Sequence, residues 1–295
     1  MVSFCFEKRY METESLRIFC AVAAELSITQ AAARLGRAPS NVTTRIQQLE
    51  ADLGAELFLR IGKRIALSTA GEQYLVYAER LLALEDEARQ VVSNGASGGV
   101  LRIGSMESTA ASRLPSVLAA FHVDHPATRL VLRTGPSRQI VEQVRSGALD
   151  CAFAALPDGG AELAEMGLQS MPLWTEELLL LLPPGEADVD DARQVRARSL
   201  AAFPQGCTYR SLAEERLGIA GAAWRVQEMN SYHAMIACVA AGACVTVLPA
   251  SVLALSSAPA ALKTLSLGRL DTCLVWRDGF ATPAFRAFAG GLPTA

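Results

Sequence analysis

"PSNVTTRIQQLE", residues 39–50, sets a thin apolar line inside an unusually polar helix. Val42, Ile46, Leu49 and, just beyond the stretch, Leu53 recur at helical spacing and predict a buried line. Ser40, Asn41, Thr43, Thr44, Gln47 and Gln48 fall on the far side of the wheel, with Arg45 at the boundary. Pro39 suits the first helical turn, where its missing N–H costs nothing. Taken alone, the stretch reads first as a solvated amphipathic helix. Its neighbours decide what the polar face is for.

Upstream, "METESLRIFCAVAAELS" (11–27) predicts a helix that buries Leu16, Phe19, Val22, Ala23 and Leu26. "SITQAAARLG" (27–36) predicts a second, with Thr29 as N-cap, Ala32 and Leu35 inward and Gly36 as the stop. A helix, a glycine turn and a polar-faced helix make the helix-turn-helix arrangement. Downstream, "GAELFLRIGKRIALSTAGE" (54–72) reads as a strand, a basic turn with Arg60, Lys63 and Arg64, and a second strand, which is a β-wing. Thr69 and Glu72 have the spacing of a capping box. The helix they start is expected to run to about Val92, with Tyr74, Tyr77, Leu81, Leu84, Ala88 and Val91 as a heptad seam. The seam is assigned to a dimer contact, the alternative being packing within its own domain.

"SNGASGGV" (93–100) is a Gly/Ser linker, after which the pattern changes. "VLRIGSM", "RLVLRTG" and "LDCAFAAL" are strands that alternate with helices "AASRLPSVLAAFHVDHP" and "SRQIVEQVRSG". A second set follows: "EELLLLLPP", a helix near 208–217, "WRVQEM", "SYHAMIACVAAG", "CVTVLP" and a late strand "TCLVWRDG" (272–279). This grammar predicts a mostly parallel sheet covered on both faces, in two α/β lobes with a cleft between them.

The bulk numbers set limits on this reading. A chain of 295 residues is long enough for two or three packing units. The longest apolar runs, at 178–183 and 237–249, are too short to span a bilayer, and the N-terminal residues lack the core of a secretory signal. Seven scattered cysteines with no CxxC pair read as reduced thiols of a cytoplasmic protein. The net charge of −3 is unpromising for a DNA-binding protein. The field at a phosphate, however, is set by the side chains that face it, here Arg37, Arg45, Arg60, Lys63 and Arg64.

"LRIFCAVAAELSITQAAARLGRAPSNVTTRIQQLEADLGAELFLRIGKRIALSTAGEQYL" resembles the LysR-type transcriptional regulators, as does, more weakly, "VAAGACVTVLP" (239–249). The resemblance implies a winged helix-turn-helix, a dimer through the linker helix, and a two-lobed effector domain like the type II periplasmic binding proteins. It further implies promoter binding as dimers or tetramers, control by a small molecule, an interrupted inverted repeat as target, and RNA polymerase as a partner if the protein activates. The corresponding division is an extension at 1–10, a DNA-binding domain at 11–68, a linker helix and hinge at 69–97, and an effector domain at 98–295. Within the last, lobe I takes about 98–170 and 265–295, and lobe II about 171–264.

One departure falls in the opening stretch. Where the family commonly has Ser-Gln-Pro-Ala-Val-Ser, this chain has Ala38, Pro39, Ser40, Asn41, Val42 and Thr43. Pro39 takes the place of the usual base-reading glutamine and offers no side-chain donor. Base reading is therefore assigned to Ser40, Asn41, Thr44 and Arg45, since Asn suits adenine and Arg guanine in the major groove. Thr29, Arg37, Thr43 and Gln48 join them as DNA contacts, and Arg60, Lys63 and Arg64 are assigned to phosphates or the minor groove.

Ligands of open α/β sheets bind beyond the carboxyl ends of strands. In one lobe that selects Ser105, Met106, Glu107, Ser108, Thr109, Thr134, Gly135 and Ser137. In the other it selects Gly206, Cys207, Thr208, Tyr209, Arg210, Asn230, Ser231 and Tyr232. Arg210 argues for an anionic effector, whereas Glu107 and Glu228 argue for an amine. Ordinary helix capping is the bland alternative for each residue. Cys207 beside Arg210 raises a thiol redox sensor as another reading. His122, His125 and His233 form no metal spacing, and no Gly-x-Ser-x-Gly or phosphate loop occurs, so neither catalytic residues, metal nor cofactor are expected. A bare small-molecule binding protein is opposed by the N-terminal helix-turn-helix.

Overall fold

The computed structural model describes residues 12–61, 64–92, 98–220, 224–256 and 262–293, with residues 60, 61, 64, 158, 159 and 161 described by their backbone alone. The expected extension at 1–10, Lys63 and most of the Gly/Ser linker lie outside the described residues. The chain divides into one unit reaching Arg89, which also takes in Ser146–Ala148, and a second holding Gln90–Arg145 and Leu149–Ala295.

The first unit contains α1 (Thr13–Glu25), α2 (Ile28–Leu35), α3 (Pro39–Leu53), the hairpin β1 (Phe58–Ile61) and β2 (Arg64–Leu67), and the start of α4 (Thr69–Val92). Its core gathers Leu16, Phe19 and Val22 of α1, Ala31 and Ala32 of α2, Val42, Ile46 and Leu49 of α3, Leu57, and Ala78 of α4. Phe19 is central, with the rings of Phe58 and Tyr74 at 5.4 and 5.2 Å. Glu50 ties α3 to the wing: its Oε1 accepts from the backbone N–H groups of Leu57 at 2.7 Å and Phe58 at 3.2 Å. A residue that reads in the sequence as local negative charge is thus a structural acceptor for strand β1.

Four expectations are corrected here. Leu26 is not part of the buried face of α1; it is the C-cap, in left-handed conformation (φ 47°) and exposed. The line on α3 stops at Leu49, because Leu53 lies in the last turn and is exposed. Ser27, not Thr29, caps α2 by accepting from Gln30 N–H. Ser68, one residue before Thr69, caps α4: its Oγ accepts from Gly71 N–H at 2.9 Å and donates to Glu56 O. Gly71 is required by close approach, since a Cβ there would fall 2.0 Å from the Leu57 carbonyl oxygen.

The second unit is built on one eight-stranded sheet. In chain order it has β3 (Val100–Ser105), α5 (Glu107–Ser112), α6 (Leu114–Asp124), β4 (Arg129–Thr134), α7 (Ser137–Ser146) and β5 (Cys151–Ala155). There follow β6 (Leu168–Leu182), β7 (Ser199–Ala202), α8 (Thr208–Leu217), β8 (Arg225–Glu228), α9 (Tyr232–Ala240), β9 (Val245–Pro249), α10 (Ala250–Leu253), β10 (Lys263–Arg277) and α11 (Pro283–Gly290). The strand order is β4-β3-β5-β10-β6-β9-β7-β8. β3 pairs in parallel with β4 and β5, and β7 with β8 and β9, as the alternating pattern requires.

The sheet is mixed, however, because β6 and β10 run antiparallel along their whole length. The sequence patterns marked only the apolar part of each, "EELLLLLPP" and "TCLVWRDG". β10 holds β5 through Thr272–Trp276, and β6 holds β9 through Leu178–Leu181, so this long pair crosses from one lobe to the other. Its register shifts between Ser266 and Gly268 and between Thr272 and Cys273. The single helix expected over 110–126 is two, with Arg113 ending α5 and preceding α6. No described helix is long and apolar enough to cross a membrane.

Candidate functional site

The polar face of α3 is presented as its wheel requires. Ser40, Asn41, Thr44, Gln47 and Gln48 are exposed, while Thr43 and Arg45 are half-buried. Ala38 is the N-cap in extended conformation but has no side chain to accept from the first turn, and Pro39 follows it. The side chains differ in what they have left to offer. Thr43 Oγ1 donates to Pro39 O and Thr44 Oγ1 to Ser40 O, both at 3.0 Å, leaving their oxygens as acceptors. Gln48 Nε2 donates to Asp52 Oδ1. Arg37 Nη1 donates to Asn41 Oδ1 at 3.4 Å, which leaves the exposed Asn41 its two amide N–H donors.

Both arginines beside this face are held by carboxylates at the start of the chain's first helix. Arg37 Nη2 meets Glu14 at 2.5 Å, and Arg45 Nη1 meets Glu12 at 2.8 Å. These pairs are solvated and therefore weak, on the order of 0–1 kcal/mol, so a phosphate can displace them. Thr29 is exposed at the second position of α2 and does not cap it. Arg60 and Arg64 lie at facing positions of the hairpin, Arg60 opposite Ile65 and Arg64 opposite Ile61.

Along α4, the expected seam divides. Tyr74 is half-buried against Phe19 and belongs to the first unit's core. Tyr77, Leu81, Leu84, Ala88 and Val91 are exposed, with Tyr77 61% and Leu84 60% accessible.

In the second unit, a cleft of about 390 Å³ opens beyond the carboxyl ends of β3, β4, β7 and β8. Eight predicted residues line it: Met106, Glu107, Ser108, Thr134, Gly135, Tyr209, Asn230 and Tyr232. Pro136, Gln139, Phe203, Pro204 and Gln205 complete the wall. These five carry no strand-end hydroxyl or charge of the kind that the sequence argument selected. The proline-bounded "FPQG" turn (203–206) was the available signal.

The other eight predicted residues, Ser105, Thr109, Ser137, Gly206, Cys207, Thr208, Arg210 and Ser231, do not line the cleft. Ser105 is fully buried and its Oγ donates to Met106 O. Thr109 and Ser137 are buried, and Ser231 caps α9 by accepting from Ala234 N–H. Cys207 is the N-cap of α8, half-buried; burial pushes its thiol up, against the backbone N–H groups of Arg210 and Tyr209 and the Arg210 charge. That is the reverse of an activated thiolate. Arg210 does not face the cleft. It is buried and donates to Glu214, Glu228 and Phe203 O, at 2.7, 2.7 and 3.1 Å, so its charge is consumed within the fold.

The cleft is polar in a specific way. Burial raises the Tyr209 hydroxyl to about 12 and the Tyr232 hydroxyl well above its ordinary value, so both are neutral donors. Burial also raises the Glu107 carboxyl, opposed by the nearby His233. Glu107 Oε2 and Tyr209 Oη are buried without a hydrogen-bond partner among the described residues. The lobes meet beside the cleft, where Thr208 Oγ1 donates to Ala155 O at 3.0 Å and Arg138 N–H to Gly206 O at 3.3 Å. No group of side chains able to hold a metal occurs among the described residues.

Comparison with known proteins finds two separate family matches along the chain. Residues 13–72 match the family described as "Bacterial regulatory helix-turn-helix protein, lysR family", and residues 94–292 match "LysR substrate binding domain". A Bacillus subtilis (strain 168) protein described as "Uncharacterized HTH-type transcriptional regulator YusT" is 36% identical over 285 residues, 94% of each chain. A full-length OxyR variant from Pseudomonas aeruginosa, with aspartate in place of one cysteine, superposes with a TM-score of 0.69 at 22% identity, covering 96% of this chain and 94% of its own. Full-length CbnR complexed with its target DNA superposes with a TM-score of 0.64 at 24% identity, covering 96% and 99%. At such identities the two structures are likenesses of fold.

Proposed function

The chain belongs to the LysR family of DNA-binding transcription regulators, and from that premise we propose that α3 reads the major groove while a small molecule in the cleft controls how the protein engages a promoter. The single observation that carries the ligand half is the cleft itself, enclosed by both lobes at the strand ends, with buried polar atoms that no described residue satisfies. The DNA half rests on the exposed α3 face, where Asn41 presents its donors and Arg37 and Arg45 stand beside it in displaceable ion pairs. Ser40 and Asn41 read bases, Thr43, Thr44 and Gln48 add hydrogen bonds, and Thr29 with the wing residues Arg60, Lys63 and Arg64 holds phosphates.

Two copies join through Tyr77, Leu81, Leu84, Ala88 and Val91 of α4, which gives a two-fold protein an interrupted inverted repeat as its target. The protein works in the cytoplasm, and RNA polymerase is its partner where it activates. A redox reading through Cys207 has less support, because burial holds that thiol protonated. The test is selection of target sites from a random DNA pool by the full-length protein. An enriched, interrupted inverted repeat is the expected result; enrichment of no motif, or of an unpaired one, contradicts the reading.

A further inference from the structure

The effector's charge is not fixed by its having a cleft to occupy. We propose that the cleft takes an amine: a small molecule with an apolar or aromatic body whose protonated nitrogen seats against Glu107. The inference rests on the cleft being the effector site and names the ligand class that fits it.

Three observations converge. First, Glu107 Oε2 is buried on the cleft wall with no partner among the described residues, and a buried carboxylate oxygen demands a donor. Second, no lysine, arginine or histidine lines the cleft among the described residues. Arg210, the one cation that its sequence position favoured, is turned to Glu214 and Glu228 instead. Third, Phe203 and Tyr232 stand edge to face at 4.8 Å on the same wall, an aromatic surface that suits a cation or an apolar body.

The helix ends supply the opposing consideration. α8 begins at the cleft without a side-chain cap, and such N-termini favour negative charge. Glu107, at the first position of α5, already places a negative charge there. The cleft thus carries its own anion, and no cationic side chain lines it among the described residues; His233, which opposes the effect of burial on Glu107, lies outside the lining. An ammonium also relieves the burial penalty on Glu107 by pairing with it, whereas a ligand carboxylate would add a second negative charge beside it. Tyr209 Oη remains as a donor for any oxygen elsewhere on the ligand.

The test uses the full-length protein and matched probes: phenethylamine and isoamylamine, their alcohol isosteres 2-phenylethanol and isoamyl alcohol, and the carboxylates 3-phenylpropionate and 4-methylpentanoate. Binding is read by calorimetry and thermal shift. The amines should bind and the isosteres bind more weakly. Glu107→Gln should weaken amine binding roughly tenfold or more, as loss of a charged hydrogen bond does. Glu107→Asp keeps the charge and should fall between, which separates loss of charge from loss of fold. If alcohols or carboxylates bind as well as amines, and Phe203→Ala weakens them, the cleft is the effector site and the amine assignment is wrong. If no probe binds, or if binding ignores substitution at both Glu107 and Phe203, the amine inference fails and the cleft reading loses its support with it.

Discussion

Around the start of α3, single residues have distinct physical consequences. Ala38 sits at the N-cap of α3 with φ −73° and ψ 140°, the right backbone for a cap, but contributes no acceptor. Ala38→Ser should therefore stabilise the protein by about 0.5–2 kcal/mol. Thermal unfolding of the two proteins checks this, and an unchanged or lower midpoint would show that the first turn of α3 has no unmet donor. Arg37 is shared between Glu14 and Asn41, so Glu14 competes with DNA for it. Glu14→Gln should tighten DNA binding at low salt by roughly one- to fivefold, the scale of a solvated ion pair, and the gain should fade as salt rises. Anisotropy titrations at two salt concentrations measure it; weaker binding by the variant would mean that Glu14 positions Arg37 rather than competes for it.

At the scale of elements, most of the fold was legible and the exceptions share a cause. The periodicity of α1 and α3 follows from Leu16, Phe19, Val42, Ile46 and Leu49, whose burial the spacing states directly. β6 and β10 were seen only in part because Pro172 and Thr175 interrupt the apolar run of one and Gly268, Arg269 and Asp271 that of the other. Those residues lie where the pair crosses between lobes, and their partners come from remote sequence. The caps at Ser27 and Ser68 were misplaced by one or two residues, since each serine stands within two residues of a threonine of equal capping chemistry.

The α4 seam is an element-scale claim. Its first residue, Tyr74, is used up by the core around Phe19, so a fragment ending at residue 68 would lose Tyr74 and Ala78 and unfold. A point change is the better probe. Leu84 is exposed within one chain, so Leu84→Glu should leave the fold intact and give a monomer in light scattering. A dimer of unchanged strength would remove the seam from the interface.

For the whole molecule, the cleft was legible as a set of strand ends but not as a set of side chains. Strand-end logic selected Met106, Glu107, Ser108, Thr134, Gly135, Tyr209, Asn230 and Tyr232, which line one cleft. It could not foresee that Arg210 folds back onto Glu214 and Glu228, because ion-pair partners four and eighteen residues away look as available as a ligand. The central proposal is that α3 reads DNA. The most direct measurement is the dissociation constant of the full-length protein and of Asn41→Ala on a selected operator and on each of its single-base variants. Asn41→Ala should lose about 1–3 kcal/mol on the operator and become indifferent to one base pair in each half-site. If the variant instead ranks every site as the parent does, Asn41 makes no base contact and α3 does not read DNA as proposed.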